Sequence, residues 1–257
     1  MSGHSHWATI KHKKGAADAR KGKMFSKISK LIMQAARDGG TDPGSNIKLQ
    51  LAIDKARAEN MPKDNIERAV KRGSGELGDV RFEEITYEGY GPGGVAIMVN
   101  SLTDNKNRTV SEIRKIFENR GGNLGSANSV AYNFHRKGTL AVASEGLKED
   151  DVMTVALDAG AEDVETIDDA FVITTSAEDY TAVKKVLEAK GWTLTMSQIG
   201  LVPKTMTEVD GSIGKRVLDL IDGLEDHDDV QDVYTNLSLP TEDTPPKEGA
   251  PGATVAK

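Results

Sequence analysis

Lysine and arginine crowd the start of this chain, and a row of cations almost without acids is suited to one chemistry, the neutralisation of phosphates. The first thirty residues hold Lys11, Lys13, Lys14, Arg20, Lys21, Lys23, Lys27 and Lys30 against a single acid, Asp18, in a protein whose net charge is -7. Trp7 lies just ahead of them and offers a ring on which a base can stack. The plainest alternative is a solvated helix face. Against it, Lys11, Lys13 and Lys14 precede the helix in a segment where no packing requires them. Arg20, Lys23, Lys27 and Lys30 also project together, opposite an apolar stripe. Binding through such a surface releases condensed counterions and weakens steeply with salt. Two weaker basic groups follow: Lys63, Arg68, Lys71 and Arg72, then Lys106, Arg108, Arg114 and Lys115.

Other candidate chemistry fails on spacing or context. Gly89, Gly91 and Gly94 match a dinucleotide fingerprint as a string, but a strand follows them where the fingerprint needs a helix, and Pro92 lies inside the loop. A hairpin turn is the better reading. His4, His6 and His12 lack a fourth donor at finger-like spacing, so no metal site is expected. The run 225–229 (Glu-Asp-His-Asp-Asp) lacks the alternating ligands and central Gly of a calcium loop and reads as a solvated helix end. The chain contains no cysteine, which removes disulfides, thiolate metal sites and cysteine nucleophiles. It contains no Walker loop, nucleophile elbow or His-Glu-x-x-His pattern. No catalytic residue, cofactor or small-molecule substrate is expected.

The elements that position these residues follow from periodicity. Residues 16–37 place Met24, Phe25, Ile28, Leu31, Ile32 and Ala35 on one helical face, and Gly39-Gly40 stops the helix. A second helix over 47–59, capped by Ser45 or Asn46, has apolar residues around most of its circumference (Ile47, Leu49, Leu51, Ile53, Ala56), which predicts burial within a bundle. Pro62 opens a third helix carrying Ile66, Ala69 and Val70 and ending at Gly73. With its turn at Asn60-Met61, this pair has the length of a helix-turn-helix whose reading element would bear Lys63, Asn65, Arg68, Lys71 and Arg72.

From Phe82 the period becomes two. Strands are expected at 82–87 and 95–99 around the glycine-rich hairpin, then a helix bearing Val110, Ile113, Ile116 and Phe117, then a strand over 130–135. Residues 137–202 run strand, helix, strand, strand, helix, strand, the split βαβ order of a ferredoxin-like domain. A further helix (Ile213, Val217, Leu220, Ile221, Leu224) and a strand over 230–237 return to the earlier sheet. The expected fold is therefore α+β and multidomain: a basic helical bundle at 1–78, a discontinuous α/β domain at 79–136 plus 206–239, and an inserted ferredoxin-like βαββαβ domain at 137–205. Residues 240–257, rich in Pro, Glu and Gly without period, are expected to be disordered.

Charge divides along the same lines. Residues 141–257 carry 25 acids against 9 bases, so only the first half can approach a phosphate backbone without repulsion. No run is apolar enough to span a membrane, and the basic start is Lys-rich rather than Arg- and Ser-rich like a transit peptide. A cytoplasmic location without membrane partners is expected.

Four motifs in order then resemble one family. Gly3-His4-Ser5-His6-Trp7 with Lys11-His12-Lys13-Lys14, Tyr87-Glu88-Gly89-Tyr90-Gly91-Pro92-Gly93-Gly94, Thr103-Asp104-Asn105-Lys106-Asn107-Arg108, and Gly121-Gly122-Asn123-Leu124-Gly125 resemble the YebC/PmpR family, over residues 2–239. The resemblance implies three domains and a cytoplasmic, probable DNA-binding transcriptional regulatory protein, without catalytic residues. It also implies likeness to mitochondrial translational activators of cytochrome oxidase synthesis and to bacterial relatives linked to ribosomes stalled on proline-rich segments. The expected function is a non-enzymatic nucleic-acid-binding regulator whose partner is DNA or a ribosomal or messenger RNA, with the ribosome as a candidate partner. A protein–protein adaptor is the alternative from another class.

Overall fold

A computed structural model describes residues 21–78 and 81–239. Trp7, Lys11, Lys13, Lys14, Arg20 and the tail 240–257 lie outside the described residues.

Among the described residues three helices come first. In α1 (Lys21–Gly39) the three- and four-residue spacing buries Ile28, Ile32, Ala35 and Ala36 on one side. Gly40, at φ +85°, releases the chain from the helix. Asn46 then joins two helices. Its amide donates to the carbonyls of Ala35 (2.7 Å) and Gly40 (2.8 Å), and its oxygen accepts from the Leu49 N–H (3.1 Å) at the start of α2 (Ile47–Ala58). One side chain thus satisfies orphan groups at the end of one helix and the start of the next. The turn after α2 has Asn60 at φ +57°, with the Met61 N–H reaching back to the Ala56 carbonyl and the Asn60 N–H to Arg57. This Schellman geometry tucks Met61 into the core before α3 (Lys63–Gly73).

Burial of α2 on all sides does not occur. Leu49, Ala52, Ile53 and Ala56 are buried, but Ile47 and Leu51 are 77% and 61% exposed. Three short helices enclose only one interior, and among the described residues nothing covers the outer side of α2.

The remainder runs β1 (Glu83–Tyr90), β2 (Ala96–Thr103), α4 (Lys106–Asn119), β3 (Asn123–Leu124), β4 (Phe134–Ala143), α5 (Glu149–Asp158) and β5 (Ala161–Ile167). It continues β6 (Ala170–Ser176), α6 (Tyr180–Ala189), β7 (Leu194–Pro203), β8 (Thr207–Glu208), α7 (Gly211–Glu225), β9 (Val230–Thr235) and β10 (Leu237–Ser238). Two four-stranded sheets result, ordered β3-β1-β2-β9 and β5-β6-β4-β7, with a parallel β8–β10 pair beside them. The molecule is a mixed α and β structure with antiparallel sheets.

The first sheet is covered on one face by α4 and α7 through Ile97, Val99, Ile113, Phe117, Leu220 and Leu224. Its opposite face meets the second sheet through Ala96, Met98, Phe134, Leu201 and Tyr234. The second sheet packs Leu140, Phe171 and Ile173 against Val152 and Ala156 of α5 and Val183 and Leu187 of α6. Residues 91–94 form a hairpin connection between antiparallel β1 and β2, with the Gly91 N–H on the Val95 carbonyl at 2.8 Å. Gly93, at φ +74°, lies against Val209 and Ile213, and the strand β2 follows the loop where a phosphate site would need a helix N-terminus.

The strand expected over 130–135 starts late. The backbone N–H groups of Asn128, Val130 and Ala131 donate to the buried Glu88 carboxylate at 2.7–2.8 Å instead of to a ladder. Pairing begins only at Phe134, and β4 then runs unbroken to Ala143.

Candidate nucleic-acid interface

The structure sends the predicted cations to different places. Lys23, Lys27 and Lys30 recur at helical spacing on α1 and share a face, as expected, but that face lies on the turn between α7 and β9. The Lys23 ammonium donates to the Asp226 carbonyl (3.2 Å), Lys27 to the Glu225 carbonyl (2.5 Å), and Lys30 to the Asp228 carbonyl (3.0 Å). These carbonyls end α7 or follow it, where the helix carries its partial negative charge and has no internal donors left. Burial lowers the Lys27 pKa, opposed by Glu225, Asp232, Asp228 and Asp226. Lys21 also has a partner.

Asp229 anchors this turn, and it is not the solvated helix end expected of the acidic run. Its side chain is 3% exposed and accepts from Lys30 at 2.6 Å and from Arg108 at 2.9 Å. The Thr103 and Thr109 hydroxyls lie 3.0 and 2.8 Å from its second oxygen. Burial alone would raise this carboxyl's pKa. The bonds from Lys30, Arg108 and Thr109 outweigh burial and hold it well below the ordinary carboxylate range. The Asp229 N–H donates to His227 Nδ1 (3.1 Å), so Nε2 carries the proton offered to Glu112 (2.8 Å). A cleft of about 650 Å³ opens here, and Asp104, Glu112, Asp226, Asp228 and Asp229 share its walls with Lys23, Lys30, Arg108 and Lys115. Five carboxylates make it a poor seat for a phosphate.

The secondary groups fare differently. Arg108 is bound to Asp104 and Asp229, while Lys106, Arg114 and Lys115 are exposed along α4. On α3, Lys63 makes only a 3.4 Å pair with Glu67. Arg68, Lys71 and Arg72 are exposed and have no ion-pair partner among the described residues. Arg68 and Arg72 also edge a groove of about 260 Å³ between α1 and α3, floored by Phe25, Met33, Met61 and Ala69. Asn65, Ser26 and Ser29 complete its lining, which contains no acid.

Sequence profiles match the chain in two adjoining pieces. The TACO1/YebC protein N-terminal domain matches residues 5–76, and the TACO1/YebC second and third domain matches residues 82–237. The chain belongs to the TACO1/YebC family. A relative from Dictyoglomus turgidum, named a probable transcriptional regulatory protein, is 53% identical over 94% of this chain and 98% of its own length. One from Treponema denticola with the same name is 52% identical over 93% of this chain and 97% of its own length. The crystal structure of a conserved hypothetical protein from Aquifex aeolicus is 44% identical and superposes with a TM-score of 0.81, covering 93% of this chain and 99% of that one. The relatives' names support a regulator. Among the described residues of this YebC-family protein, no helix is long and apolar enough to cross a membrane.

Two sets of residues escaped the sequence reading. Phe25 reads as part of the apolar face of the first helix and Met61 as a turn residue, Met33 carries no signal of its own, and only their packing reveals that they line a groove. Asp229 looked like one acid among several. The single hint was the Thr103–Arg108 motif, whose threonine and arginine converge on it together with the adjoining Thr109.

Proposed function

We propose that this protein is a non-enzymatic, cytoplasmic nucleic-acid-binding regulator that acts in transcription by binding DNA. It grips through its N-terminal helical domain and the basic segment that precedes it. The observation that carries this reading is the concentration on one helix of three exposed cations, Arg68, Lys71 and Arg72, that have no ion-pair partner among the described residues, in a molecule of net charge -7. Relatives named probable transcriptional regulatory proteins support it. We read the chain as the three domains expected at 1–78, 79–136 plus 206–239, and 137–205. The strand order β5-β6-β4-β7 supports a ferredoxin-like insertion, and the pairing of β9 with β2 supports a discontinuous host domain.

A second reading, an RNA- or ribosome-associated translation factor, is favoured by the acidity of residues 141–257, which a long duplex would repel. Crosslinking in cells with joint sequencing of bound DNA and RNA separates the two. Enrichment of promoter DNA supports the first, and enrichment of ribosomal or messenger RNA replaces it with the second. Replacing Lys11, Lys13 and Lys14 with Gln should weaken binding and reduce the salt slope by about three. An unchanged slope would remove the basic segment from the grip.

A further inference from the structure

We infer that the groove between α1 and α3 is a seat for a single unpaired nucleobase, with the phosphates on either side held by Arg68 and Arg72. This rests on the nucleic-acid reading above and goes beyond it by naming a site and the state of the strand it takes. Three observations converge. The floor is one aromatic ring, Phe25, with two thioethers, Met33 and Met61, a polarizable apolar surface suited to the face of a base. The two guanidiniums stand four residues apart on α3, about 6 Å along its axis, so both line the α3 bank of the groove and present fork-shaped donors at a spacing that suits successive phosphates of one strand. The lining contains no acid, whereas the larger cleft beside α7 contains five. Charge complementarity therefore selects this groove for a polyanion.

Shape selects the strand. The groove, about 260 Å³, admits one ring system and cannot admit a double helix, whose bases are stacked inward and present only edges. A base reaches Phe25 only if it is already unpaired or leaves its stack. Single-stranded nucleic acid is thus the ligand, with a sequence preference set by stacking more than by edge readout.

The test uses the full chain and labelled oligonucleotides of one sequence in three forms: single-stranded, duplex, and single-stranded with abasic sites. Anisotropy should show the intact single strand binding roughly tenfold tighter than the abasic one. Arg68→Gln with Arg72→Gln should reduce that affinity about tenfold and lower the salt slope by about two. Both arginines are exposed, so the fold should survive, which circular dichroism checks. Phe25→Leu keeps apolar packing and removes the ring. It should abolish the fluorescence change of a 2-aminopurine placed in the strand while leaving abasic binding unchanged. Equal binding of intact and abasic strands, or binding unaffected by the arginine pair, would overturn the groove while sparing the broader reading. Preference for a generic amphipathic helical peptide over every oligonucleotide would assign the groove to a protein partner and overturn the proposal. Binding of no oligonucleotide in any form would remove both the groove and the nucleic-acid reading.

Discussion

At the scale of single residues, Asp229 carries more of the structure than its place in an acidic run suggests. Its carboxylate is nearly inaccessible yet takes hydrogen bonds from α1, α4 and the end of β2 together. Removing one partner from such a set leaves the others buried and unmatched, which costs more than the net worth of any one bond. Asp229→Asn should therefore destabilise by about 3 kcal/mol, measured as a lower urea midpoint with unchanged slope. The pH dependence has a definite sign. The folded carboxyl is held below its ordinary value of 3.8, so the unfolded chain binds its proton more readily. The contribution is fully present above pH 3.8 and is lost as pH falls below it toward the depressed folded value. Asp229→Asn should flatten that acid limb. An acid limb identical to the parent's would show that other carboxylates carry it.

At the scale of elements, α1 and α3 approach as closely as glycine allows. A Cβ on Gly73 would press on the Met33 carbonyl oxygen and lie 2.8 Å from the Met33 Cα. Gly73→Ala must push the helices apart, and overpacking of this kind costs about 2 kcal/mol. The same displacement should widen the groove above Met33, so oligonucleotide affinity should fall along with thermal stability. A stability loss with affinity intact would show that the groove tolerates the shift. Asn46→Ala should cost about 2 kcal/mol, because a cap is lost and the carbonyls of Ala35 in α1 and of Gly40 just beyond it lose their donor; a denaturation midpoint within error of the parent's would refute this. These elements also show where sequence reading stops. The stripe Ile28, Ile32, Ala35 on α1, the stop at Gly39 and the hairpin at 91–94 were legible because each is written in local spacing. Exposure of Ile47 and Leu51 was not, since it depends on which neighbours are missing. The burial of Asp229 was not either. It arises when Lys30, some two hundred residues earlier, arrives on α1, and no local pattern records that meeting. The cationic character of α1 was read from sequence, but its docking on the α7 turn was not.

At the scale of the whole molecule, the two signs of charge are partly spent on each other. The basic face of α1 lies on the acidic turn at the end of α7, while Arg68, Lys71 and Arg72 on α3 stay exposed, as do Lys106, Arg114 and Lys115 on α4. Lys23, Lys27 and Lys30 thus hold the helical bundle to the sheet that contains β9, chiefly by donating to backbone carbonyls at the end of α7 and in the turn that follows it. Replacing all three with Gln should loosen that attachment without unfolding the bundle, whose own core of Ile28, Ile32, Leu49 and Ile53 is untouched. Small-angle scattering should then report a larger radius of gyration, and protease should cut the 74–82 connection sooner. Salt should reproduce only part of this, because Lys27 and Lys30 are partly buried and screening acts on solvated charges. Affinity for a single strand should change less than about threefold, against roughly tenfold for the Arg68 and Arg72 pair. The opposite pattern, an unchanged radius with the larger affinity loss in the triple variant, would return the phosphate grip to α1 and reduce its contact with the α7 turn to an incidental one.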